Sequence, residues 1–173
     1  MKSAKKKFSK IYDKYVNKIY RFVFLKVETQ EAAQDITSQV FTKAWEKMRE
    51  QNRREDEVLN WPAYIYQIAR NQIFDHYKLR SRFQIISTEA LEIAAPSFDF
   101  EEKEDKKSEI KNMKIALSGL NEDSQNVLIL RYLDEMAFAE IAEILNKPEP
   151  TVRVIAHRAL KELRGRMEGI IKV

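Results

Sequence analysis

The sequence predicts an all-α protein: two small helical domains joined by an acidic linker, the C-terminal one a helix-turn-helix domain. Three observations predict it. Glycine and proline are scarce, 3 and 4 among 173 residues, too few for the many turns of a β-rich chain. Apolar residues recur at three- and four-residue steps over long stretches, the signature of amphipathic helices. Over 83–108 that period is lost, and acidic residues crowd together from Asp99 to Asp105. The chain therefore divides into 1–82, a linker 83–108, and 109–173, and domains of roughly 60 to 80 residues can fold alone.

The first helix is predicted over about 6–27. Phe8, Ile11, Tyr12, Tyr15, Ile19, Phe22 and Val23 form one stripe, and Lys7, Lys10, Lys14, Lys18 and Arg21 lie mostly off it. Thr29 is placed to cap a second helix, which runs to about Met48 with Ala33, Ile36, Val40, Ala44 and Met48 inside. Phe41 and Trp45 widen that stripe, while Asp35, Ser38, Gln39 and Thr42 lie outside it. Mixed charge without a period makes 49–60 a loop.

Pro62 suits the first turn of a third helix, where its missing N–H is no loss. Ile65, Ile68, Ala69 and Ile73 are its buried side. Another side carries Trp61, Tyr64, Gln67, Arg70, Asn71, Phe74, Lys78, Arg80 and Arg82. A helix meant only to pack needs no amides and cations among its aromatics. One meant only for duplex phosphates needs no aromatics. Together they suit single-stranded nucleic acid, whose bases offer π-faces and whose backbone needs cations. The competing reading has Trp61, Tyr64 and Phe74 complete the domain core.

Beyond the linker, Ile110, Met113, Ala116 and Leu117 indicate a helix, and Asn121 caps the next, which runs to Leu133. The stretch FAEIAEILNKPEPTVRVIAH, 138–157, then fits a helix-turn-helix position by position. Ile141 and Leu145 belong inside its first helix, with Ala142 where the two helices touch. Asn146 tolerates the positive φ of the turn. Pro148 and Pro150 stop one helix and restart the next. Val152 and Ile155 pack inward. Thr151, Arg153, Val154, His157, Arg158, Lys161 and Arg164 remain outward or partly so. Arg153 and His157 are expected in the major groove, and Arg158, Lys161 and Arg164 on phosphates.

Charge follows the same division. Residues 1–80 carry 17 basic and 10 acidic side chains, 81–110 carry 4 and 8, and 111–173 carry 10 and 9. Within the helix-turn-helix domain, 120–149 hold 2 basic and 7 acidic groups and 150–173 hold 6 and 2. The second helix is thus the basic one, as phosphate contact requires. The absence of cysteine excludes disulfides, thiolate metal sites and cysteine nucleophiles. His76 and His157 are the only histidines, and no H-E-x-x-H occurs, so no metal is expected. There is no Walker loop and no dinucleotide fingerprint; no cofactor and no enzymatic activity are expected. No apolar run reaches the roughly 18 residues of a membrane span, and MKSAKKKF lacks the apolar stretch of a secretory signal. The expected location is the cytoplasm.

The chain resembles the extracytoplasmic-function (ECF) sigma factors of the sigma-70 family over about 8–170. FSKIYDKYVNKIYRF is similar to the family's opening helix, and DITSQVFTKAW, 35–45, to the helix that docks on the β′ clamp of RNA polymerase. WPAYIYQIARNQIFDHYKLRSR, 61–82, resembles the helix that melts and reads the −10 element, and 117–164 the −35-reading domain. The resemblance implies core RNA polymerase (β′ clamp and β flap) and promoter DNA as partners, with an anti-sigma factor as a further one. It implies polymerase contacts at Asp35, Ser38, Gln39 and Thr42, and a linker that threads the polymerase channel. The chain departs from the family at Ser38-Gln39, where Gln-Glu is frequent, at Trp61 and Tyr64, at Asn146 in place of a turn glycine, and at Val154, where a small or polar residue is frequent. The rival reading is a stand-alone helix-turn-helix regulator with a helical sensor or dimerisation domain.

Overall fold

The computed structural model describes residues 2–51, 58–84 and 104–171. All regular elements among them are helical, and none is long and apolar enough to cross a membrane. The chain separates into two compact units, Met1–Ala94 and Ala95–Val173.

In the first unit α1 (Lys2–Phe24), α2 (Gln30–Gln51) and α3 (Trp61–Gln84) each pack on the other two. The stripes read from the sequence become the core. Ile19, Phe22, Val23, Val40, Ile65 and Tyr66 are wholly inaccessible, and fully burying such a side chain contributes about 1.5–3 kcal/mol. Tyr66 meets Phe22 edge-to-face at 5.4 Å. The Thr29 cap forms as expected, its Oγ1 accepting the Ala32 N–H at 3.1 Å. Helix α1 ends at Phe24, earlier than the predicted 27. Phe24 and Val27 are buried beside that turn, so their apolarity extends the stripe without extending the helix. Helix α2 runs to Gln51, so the predicted loop starts later; its residues 52–57 lie outside the described residues.

The predicted linker 83–108 falls largely on 85–103, outside the described residues. At its edges helix replaces loop: α3 continues to Gln84, and α4 (Glu104–Ser118) starts at Glu104.

In the second unit α5 (Glu122–Leu128) runs into a π-helical turn, Ile129–Leu133, followed by α6 (Phe138–Leu145) and α7 (Glu149–Ile171). Helices α4, α5 and α6 all pack on α7. Val127, Leu130, Ile141, Ile144 and Val152 are essentially inaccessible. Ala156 and Ala159 complete the buried face of α7, while Ile155 is half-buried. The sequence stripe favoured the larger residue; two small side chains are what let the neighbouring helices approach. The Asn121 cap accepts the Ser124 N–H at 2.9 Å. Asn146 ends α6 with φ 51° and ψ 50°, the left-handed turn residue the sequence predicts. Lys147 fixes the turn from both ends: its N–H donates to Ala142 O at 3.0 Å, and its Nζ pairs with Asp123 at 3.0 Å.

Glu135 has φ 56°, a conformation unfavourable to a side chain by on the order of 1–3 kcal/mol. It turns the chain from the π-helical segment into α6. Ala137 caps α6 with half a capping box: its N–H donates to Glu140 Oε2 at 2.8 Å, but an alanine has no oxygen to return to the helix. Ala137→Ser supplies that acceptor, worth about 1 kcal/mol. Amide exchange across α6 in the variant is expected to slow by roughly fivefold; unchanged exchange would mean that the geometry of this cap is already satisfied by other means.

Candidate nucleic-acid interface

Helix α3 begins cleanly. Asn60 Oδ1 accepts the Ala63 N–H at 3.0 Å, and Asn60 O accepts the Tyr64 N–H at 3.1 Å, with Pro62 inside the first turn. From that start the helical period sorts its residues. Ala63, Ile65, Tyr66, Ile68, Ala69, Gln72 and Ile73 face the bundle. Asn71, Phe74 and Lys78 are exposed, and Tyr64, Gln67 and Arg70 are half-buried beside them. Phe74 is 62% exposed, a large aromatic left in solvent by a helix that buries a full face elsewhere.

Trp61 sits differently from the rest of the predicted strip. It is buried, with its ring against Tyr64 edge-to-face at 5.8 Å. Its Nε1 finds no acceptor among the described residues. Partial burial of Tyr64 itself pushes its hydroxyl above the ordinary range, and Glu50 adds to this. Arg80 is also committed within the unit, its Nη1 lying 2.7 Å from Glu28 Oε1. The side chain of Arg82 lies outside the described residues.

Arg80 belongs to a clasp that local sequence patterns do not reveal. Glu28, in the turn between α1 and α2, takes Arg80 on one oxygen and His76 Nε2 on the other at 3.3 Å. The Tyr77 hydroxyl donates to the Lys26 carbonyl in the same turn. The C-terminal half of α3 is thereby tied to a segment about fifty residues away in sequence. Pairs so distant leave no periodic trace, which is why sequence reasoning assigned Arg80 to phosphates. Burial pushes the Tyr77 hydroxyl up to about 12, with the Glu28 carboxylate raising it and Arg80 opposing.

On α2, Asp35, Ser38, Gln39 and Thr42 are all exposed, and Thr42 Oγ1 donates to Ser38 O at 2.9 Å. Ser38 and Thr42 border a groove of about 670 Å³ between α1 and α2. Aromatic pairs line it: Phe8 with Trp45 at 5.1 Å and Tyr12 with Phe41 at 4.9 Å. The sequence places Tyr12 in the core stripe; it is 42% exposed at this groove.

In the second unit, Thr151, Arg153, Val154, His157, Arg158, Lys161 and Arg164 are all exposed on α7. Arg153 is nevertheless engaged. Its Nε donates to Glu149 Oε1 at 3.1 Å and its Nη2 to the same oxygen. Its guanidinium lies 4.5 Å from the centre of the Phe138 ring. Arg131 lies 4.6 Å from that ring too and donates to Met136 O at 2.8 Å. The Glu149–Arg153 spacing of four is legible in sequence; the ring between two arginines is not.

The family model for sigma-70 region 2 matches residues 11–83, and that for sigma-70 region 4 matches 116–165. The ECF RNA polymerase sigma factor BldN of Streptomyces coelicolor is 27% identical over 90% of this chain, which spans 58% of that relative's length. SigW of Bacillus subtilis, also an ECF sigma factor, is 25% identical over 94% of this chain and 90% of its own. Two solved structures share the fold. The sigma factor RpoE of Bartonella quintana, in complex with the anti-sigma factor NepR, aligns at a TM-score of 0.70 with 20% identity, covering 94% of this chain and 98% of that one. CnrH, in complex with the cytosolic domain of CnrY, aligns at 0.70 with 16% identity, covering 95% and 90%. The fold and the two matched regions define a promoter-directing subunit of RNA polymerase. The chain belongs to the sigma-70 family, as one of its ECF sigma factors. It directs RNA polymerase to promoter DNA, and the stand-alone regulator reading is set aside.

The raised hydroxyl of Tyr77 has a consequence for stability. Its folded value, about 12, lies above the ordinary 10. The folded state therefore holds the proton more tightly. The associated stability is complete below pH 10 and is lost as pH rises towards 12. In urea titrations at several pH values, Tyr77→Phe is expected to flatten the fall in stability over that window. An identical pH dependence in the variant and the parent would disprove the clasp's role there.

Proposed function

We propose that three surfaces divide the work of promoter recognition. The exposed face of α2, with Asp35, Ser38, Gln39 and Thr42, seats on the β′ clamp of core polymerase. The open face of α3, with Tyr64, Gln67, Arg70, Asn71, Phe74 and Lys78, holds the unpaired −10 strand. Helix α7, with Thr151, Arg153, Val154, His157, Arg158, Lys161 and Arg164, lies in the major groove at −35. The observation that carries this reading is the open face of α3, where an exposed phenylalanine stands among amides and cations. Stacking on an aromatic side chain is worth about 1–3 kcal/mol per base, of the same order as the unstacking it offsets.

The chain acts by binding and positioning, without bond chemistry, in the cytoplasm where polymerase works. Two weak DNA-binding modules on one linker gain from effective concentration without any new contact. The acidic segment 99–105, which disfavours duplex DNA, threads the basic channel of polymerase. An anti-sigma factor is a further partner, in keeping with the complex in which RpoE was solved.

Two variants separate the first two surfaces. Asp35→Lys is expected to weaken co-purification with core polymerase while the circular-dichroism spectrum stays the same. Asn71→Ala with Phe74→Ala is expected to leave core binding intact but to abolish permanganate-reactive thymines near −10. Wild-type holoenzyme that binds its promoter and never yields reactive thymines would overturn the assignment of α3.

A further inference from the structure

The N-terminal half of a helix-turn-helix recognition helix is the part that meets base edges. In this chain that half has an unusual chemistry. Its first six residues, 149–154, hold two charged side chains, Glu149 and Arg153, which are spent largely on each other, and the guanidinium is also laid over Phe138. What remains open there is Pro150, Thr151 and Val154, all exposed and sharing one face by their spacing of three and four. None of the three carries a charge, and Val154 is 48% exposed. A single exposed valine on a protein surface needs no explanation. This one stands on the exposed side of the helix, next to the Glu149–Arg153 pair. The buried side of α7 is complete without it, in Val152, Ala156 and Ala159.

In the major groove the one apolar feature of a base pair is the 5-methyl group of thymine, which distinguishes T·A from the other three pairs. We propose that Val154, with the Thr151 methyl beside it, reads a thymine in the −35 element through that methyl group. The preference at this base pair then rests on apolar contact, not on hydrogen bonding, and Arg153 contributes less to it than its charge suggests. This rests on α7 being the −35-reading helix.

The test uses holoenzyme assembled from the full chain and core polymerase, with a promoter selected from a library randomised at −35. Each thymine of the selected −35 element, on either strand, is replaced singly by deoxyuridine, which removes only the methyl. Losing one buried methyl should weaken binding about fourfold at one position. Val154→Ala should erase the difference between thymine and uracil there, and Val154→Ile should keep it. The proposal is overturned if no thymine is selected, if no uracil replacement weakens the wild type, or if the penalty survives in Val154→Ala. A separate control addresses the underlying reading: Lys161→Ala should weaken binding evenly across sequences and flatten the salt slope by about one. If the library shows no −35 preference and Lys161→Ala is silent, the assignment of α7 itself fails, and the thymine proposal with it.

Discussion

Burial of Ile65, Tyr66, Ala69 and Ile73 against α1 and α2 is the constraint on which the first unit's chemistry depends. A helix has one azimuth to give. Once those side chains are inside, Asn71, Phe74 and Lys78 must be outside. The Glu28 clasp fixes the same azimuth from the far end of the helix, through His76, Tyr77 and Arg80. The open face is therefore held by core packing at one end and by polar contacts at the other. Under the proposed function that suits a surface for flexible single-stranded DNA, because rigidity in the protein lowers the ordering cost of binding.

The second unit is organised around α7, and its turns accept strain to keep α6 in place. Glu135 and Asn146 both adopt positive φ without being glycine. Asn146 bears this easily, since its short polar side chain tolerates the left-handed region, and Lys147 anchors the turn against Asp123. Glu135 has no such excuse; it follows the π-helical turn, whose extra residue sets the direction of entry into α6. Phe138 then stands at the start of α6 between Arg131 and Arg153. Helix α7 is thus coupled to the preceding turn through one ring.

Much of this was legible in the residues alone. Periodicity located the buried stripes, and caps at Thr29 and Asn121 and the turn at Asn146 followed from side-chain chemistry. The exposure of the site residues predicted on α2 and α7 was also legible, because on an amphipathic helix the period assigns faces. Three features were hidden, each for a physical reason. Trp61 lies beside the boundary of its stripe, where the period alone does not decide, and packing took it inside. Arg80 reads as a free cation until the fold brings Glu28 to it. Arg153 reads as a base-contacting fork, but its partners are a neighbour one turn back and a ring on another helix. Contacts between separate elements carry no sequence period, so they appear only when the elements are packed.

In the proposed function the open face of α3 holds the unpaired strand. The most direct measurement places a photocrosslinker there, as Phe74→p-benzoylphenylalanine, in holoenzyme bound to its promoter. Crosslinks to DNA near −10 are expected, appearing only at temperatures where the promoter opens. Crosslinks to protein alone, or to duplex DNA before opening, would contradict it.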